Sequence, residues 1–204
     1  MRILLTLCLL VLLSCGGNKK ITSSPLPPPP QKVNHEEDIK SKLNLYMEKM
    51  MASDYEGVLD LIYPKMFELV PRETLLGIFK QTLGDENMKI TFSDHDILKV
   101  YDKYIEADNK LHTLVDYKLN MNMALKGEML ESAPFMTPSF EEDFGKENVT
   151  FNEETGTFTI KMNNQMVAIK DNGAWYFFEI KKEQFYLLET IIGKEVLEQL
   201  GVEK

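Results

Sequence analysis

The side chains of this 204-residue sequence best suited to metal, redox or nucleophilic chemistry are three histidines, twelve methionines and two cysteines. His95 lies in Asp94-His95-Asp96, a trio of metal-ligand types, but neighbours on an extended chain point to opposite faces and cannot converge on one ion. A turn between two strands accounts for the trio better. His35 falls at the end of a proline-rich tether. His112 occupies the polar register of a strand, which reads as a solvated surface position. The methionines could hold copper(I) through their thioethers. Yet no histidine or cysteine accompanies them and they are spread along the chain, so they read as a deformable apolar core or the lining of an adaptable cavity. No serine or cysteine nucleophile motif and no glycine-rich phosphate loop is present. The sequence therefore points to no enzyme, no metal and no cofactor.

Both cysteines, Cys8 and Cys15, sit near the N-terminus. Met1-Arg2 precedes an apolar run from Ile3 to Leu13 that is too short to span a bilayer as a helix and has the length of a signal-peptide h-region. The run ends Leu12-Leu13-Ser14-Cys15-Gly16-Gly17. This stretch resembles the bacterial lipoprotein signal peptide, with an aliphatic residue three before the cysteine and a small residue just before it. The resemblance implies that residues 1–14 are removed and that Cys15 is diacylated. It also implies a mature chain held in the membrane through that lipid, in the cell envelope. The absence of an acidic residue directly after Cys15 favours the outer membrane, facing the periplasm or the surface. Two acyl chains are the number that stable anchoring needs, at about 0.8 kcal/mol per buried methylene.

Within residues 15–35, the stretch 18–34 carries Lys19, Lys20, two serines and Pro27-Pro28-Pro29-Pro30, a composition that favours extended polyproline II. At about 3.1 Å per residue such a tether could hold a domain some 50 Å from the membrane. Residues 36–204 then form a single domain large enough for a real core. The formal charge is −9 and the lysines and arginines are scattered rather than clustered, which is no nucleic-acid footprint.

Within the domain the hydrophobic period is first helical. Ile39, Leu43, Met47 and Met50 make one stripe; Tyr55, Val58, Leu59 and Ile62 a second, after Ser53-Asp54 as N-cap; Leu75, Ile78, Phe79 and Leu83 a third, between Pro71 and Gly84. The period then changes to two. Met88–Phe92 and Ile97–Ile105 read as separate strands, and Leu111–Leu125 as a long one, roughly 50 Å at 3.3 Å per residue, which must curve. Its odd-numbered residues face the helices and its even-numbered residues form an outer wall. Residues 127–145, with Pro134 and Pro138, read as a long loop suited to binding. Strands resume at 157–162, 165–170 and 174–180, the last two joined by Asn172-Gly173. Glu183–Leu200 closes the chain as a helical segment with a break at Gly193.

The expected fold is α+β: three N-terminal helices packed on a strongly curved antiparallel sheet of about five or six strands, with a C-terminal helical segment. With Asp54-Tyr55-Glu56-Gly57-Val58-Leu59 and Asn172-Gly173-Ala174-Trp175-Tyr176-Phe177, this order resembles the nuclear-transport-factor-2-like superfamily of cone-shaped domains. That resemblance implies a cone-shaped cavity. A non-catalytic module binding a small apolar ligand is the first reading, with Tyr63, Phe67, Tyr117, Met121 and Phe177 as the expected lining. The second is a protein-interaction module of a cell-envelope complex.

Overall fold

The long central strand, β3 (Lys110–Leu125), is present as the period of two requires, and every other strand pairs directly or indirectly with it. The structure is a computed structural model and describes residues 34–84 and 86–203; the expected signal peptide, Cys15 and the tether as far as residue 33 lie outside these residues. Among the described residues there are eight α-helices and one open six-stranded antiparallel sheet, an α+β fold.

Four helices precede the sheet, rather than three. In α1 (His35–Met51) the stripe Ile39, Leu43, Tyr46 and Met47 is buried, and Glu36, Glu37 and Asp38 complement the positive end of the helix dipole. His35 belongs to this helix, not to the tether. Asp54 caps α2 (Tyr55–Leu59) by accepting the Gly57 N–H at 3.0 Å, and Lys49 of α1 donates to the same carboxylate at 2.6 Å. The additional helix is a single turn, α3 (Met66–Leu69), followed by α4 (Arg72–Thr82). Neither α3 nor α4 contains a buried residue. α4 is moored to α2 instead, through Arg72 on the Glu56 carbonyl and the Asp60 carboxylate, and through Phe79 stacked on Tyr55 at 5.9 Å.

The two early strands are one. β1 (Met88–Val100) runs unbroken along β3, and Asp94-His95-Asp96 is a bulge with Asp94 at φ 52°, where the register shifts between Ser93 and Asp96. A bulge and a turn place the same polar residues in sequence, which is why the trio reads as a turn. Beyond Val100 the short β2 (Ile105–Ala107) takes over the same edge of β3. Asp108 and Asn109, both at positive φ, close that hairpin, and Asn172-Gly173 closes the one between β5 (Thr157–Asp171) and β6 (Ala174–Glu179) in the same way. β5 is likewise one strand rather than two, and β4 (Val149–Asn152) pairs with its first half.

Residues 127–145 are not a loop. They form α5 (Glu128–Glu131) and α6 (Ala133–Phe144). Pro134 stands in the first turn of α6, where a missing N–H costs nothing, so only Pro138 interrupts the backbone ladder. Phe140 of α6 meets Phe158 edge-on at 5.1 Å, which fixes this helix over the Met123 end of the sheet.

The outer wall is also half covered. Leu114, Val167, Ile169 and Phe178 lie beneath α7 (Phe185–Ile192) and α8 (Lys194–Leu200), whose apolar stripes need a surface of their own. Val115, Tyr117 and Leu119 face α1 and α2 on the other side. Consequently His112, Thr113, Leu114 and Val115 are all buried, and His112 is not a solvated residue. No helix among the described residues is long and apolar enough to cross a membrane.

Candidate functional site

The face of the sheet under α1 carries polar groups in an apolar setting. Tyr46 extends from the buried stripe of α1, Tyr117 from the middle of β3, and Glu179 from the end of β6. Strand alternation puts Glu179 on the same face as Trp175 and Phe177, both buried. The Tyr117 hydroxyl donates to Glu179 Oε1 at 3.1 Å, and Lys181 Nζ reaches the same oxygen at 2.9 Å. Burial, and then the negative charge of Glu179, push the phenols of Tyr46 and Tyr117 up from their ordinary range. Both therefore stay protonated at neutral pH and act as hydrogen-bonding groups.

Two clefts adjoin at this corner. One, of about 290 Å³, is walled by Met47, Met50, Met121, Met162, Phe92 and Phe144, with Tyr117 and Glu179 at its polar end. The other, of about 420 Å³, lies between β6 and α4, walled by Phe177, Phe178, Ile78 and Phe79. Tyr46, Met50 and Glu179 border both. An apolar body with one hydrogen-bonding end fits this arrangement: methionine and phenylalanine supply deformable apolar walls, and two phenols, a carboxylate and an ammonium supply the polar contact.

The expected lining residues separate. Tyr117 and Met121 line the methionine cleft and Phe177 lines its neighbour. Tyr63 stands in a different, polar cleft, with its hydroxyl 3.4 Å from Asp171. Phe67 lies under the Arg72 guanidinium, 5.6 Å away, outside both apolar clefts. Tyr46, Met50, Glu179 and Lys181 are absent from the sequence-based set. Glu179 is readable in principle, as a carboxylate continuing the buried register of Trp175 and Phe177.

Elsewhere the histidines do not converge. His95 Nε2 is 3.2 Å from Asn44 Oδ1, Asp96 pairs with Lys118 at 3.3 Å, and Asp94 accepts from Asn120, so the trio diverges. Among the described residues no group of three His, Cys, Asp or Glu could hold a metal ion.

Burial lowers the pKa of His112, overriding the opposing hydrogen bond to the Ile105 carbonyl. A histidine depressed in the folded state is neutral there when the unfolded chain begins to take up protons near pH 6.5. Stability contributed by His112 is thus intact above that pH and is lost as pH falls through the folded value. Urea unfolding between pH 7.5 and 5 should show this decline, and His112→Gln should flatten it. An equally steep decline in the variant would assign the effect to other groups. Comparison with known proteins finds neither a family model nor a characterised protein that this sequence matches.

Proposed function

We propose that this protein is a bacterial lipoprotein, anchored in the cell envelope through a diacylated Cys15, with a nuclear-transport-factor-2-like domain. It binds a small, mainly apolar ligand without transforming it. The curved sheet and its leading helices form the cone, and the ligand lies along the paired clefts with its polar end at Glu179 and Tyr117. The observation that carries this reading is that α3 and α4 bury no residue fully although they border an apolar cleft. Ile78 is 49% exposed and Leu69 46%, beside a cleft lined by Phe177 and Phe178. An amphipathic helix left with no buried residue gains by closing on an apolar guest.

Native mass spectrometry of the protein from its own host should detect a retained small molecule. Met50→Trp adds bulk at the corner common to both clefts and should weaken retention of an apolar probe such as N-phenyl-1-naphthylamine at least tenfold, with little change in stability. Unchanged probe binding in this variant would remove the clefts from consideration.

A second reading, an interaction module of an envelope complex, is favoured by Phe135 of α6 and Tyr186 of α7, which are 84% and 81% exposed. Co-purification of an envelope protein lost on Phe135→Ser would support it over the first.

A further inference from the structure

A third cleft, of about 320 Å³, opens where the Asp108-Asn109 and Asn172-Gly173 turns approach the end of α7. It is polar and lies apart from the paired apolar clefts. Five charged side chains line it: Lys65, Glu68, Asp108, Lys110 and Asp171. Both signs are present, yet among the described residues none of the five forms an ion pair. The ammonium groups meet backbone carbonyls instead, Lys65 that of Ile191 at 3.1 Å and Lys110 that of Asp108 at 3.4 Å. Each ammonium has three protons to donate, so both retain capacity.

His112, 4% exposed, is a buried polar member of the lining. Its Nδ1 lies 3.3 Å from the Ile105 carbonyl oxygen, which can only accept; Nδ1 is therefore protonated and Nε2 carries the lone pair. Nε2 makes no hydrogen bond among the described residues. A ring nitrogen with a free lone pair at the cleft can accept a hydrogen bond from a ligand N–H.

A simple anion here would meet three carboxylates, and a simple cation two ammonium groups. A molecule bearing both charges meets partners of opposite sign at each end, and charge-assisted hydrogen bonds are the strong ones. Pro64, Ile191 and Ile192 leave room for a modest apolar substituent. We propose that this cleft binds a small zwitterion of amino-acid size, its carboxylate on Lys65 and Lys110 and its ammonium on Asp171 and His112 Nε2. This site is independent of the apolar clefts.

The test uses the full chain in detergent micelles with ¹⁵N-labelled histidine. L-Alanine should shift the His112 Nε2 resonance saturably and leave His95 unmoved. Acetate and methylammonium, each carrying one of the two charges, should leave His112 unmoved at the same concentration. Asp171→Asn and the exposed-rim variant Lys65→Gln should each weaken the response to L-alanine at least tenfold, with unchanged circular dichroism. A shift by acetate alone, or by methylammonium alone, as large as that by L-alanine would overturn the assignment. So would silence of His112 to both L-alanine and glycylglycine.

Discussion

Phe177→Ala should lower the free energy of unfolding by about 3–5 kcal/mol, the range for truncating a buried aromatic ring. Phe177 is 1% exposed and meets the Tyr46 ring edge-on at 6.1 Å. Its backbone is clamped from both directions: its N–H donates to the Leu61 carbonyl at 2.9 Å, and its carbonyl accepts from the Tyr63 N–H at 3.1 Å. Those bonds hold β6 in place, so the strand cannot move inward to fill the void, and the cost should fall in the upper part of the range. Chemical denaturation measures it, with Tyr186→Ala, on a ring that is 81% exposed, as a comparison expected within about 0.5 kcal/mol of the parent. A loss below about 1 kcal/mol for Phe177→Ala would mean that the apolar corner collapses readily, against a preformed cleft.

Cys15→Ala should move the protein from the membrane to the soluble fraction. Each acyl chain contributes about 0.8 kcal/mol per buried methylene, and one chain alone gives only marginal, reversible binding. Under the proposed anchoring, removing the sulfur removes the attachment point, and no described helix is long and apolar enough to cross a membrane. Labelling with an alkyne analogue of palmitate, followed by fractionation, reads both effects together: the label should vanish and the membrane-bound share should fall at least a hundredfold. A variant that keeps label and membrane association would place the anchor elsewhere.

Period and turn chemistry make β3, α1, α2, α4, the closing helices and both two-residue hairpin turns legible in the sequence. These are features of neighbouring residues. What the sequence hides depends on what packs against what. The bulge at Asp94 and the turn it imitates share their composition, and only the continued pairing of Asp96 with Lys118 distinguishes them. The helix at Ala133–Phe144 hides behind two prolines, though one occupies a first turn and the aromatic spacing of Phe140 and Phe144 suits a helix. His112 reads as wet because alternation describes a strand, not its second neighbour; the stripes of α7 and α8 are visible, but not the face that receives them. For the site, Tyr117 and Met121 are legible because the strand itself orders them. Tyr46 and Glu179 come from two other elements, and their meeting is a property of the assembled layers.

The burial of four consecutive residues, His112–Val115, makes one stretch of backbone the shared wall of two cores. Leu114 and Val115 are chain neighbours, yet one belongs to the core of the closing helices and the other to that of the leading helix. A slip of one residue would exchange these faces, so each helical layer holds the register on which the other depends. The order of synthesis then acquires meaning. The leading helices and β3 emerge early, but the wall stays bare on one side until Leu197, Leu200 and Val202, all buried, have been made. A chain still being synthesised lacks the seal that makes the native register the stable one.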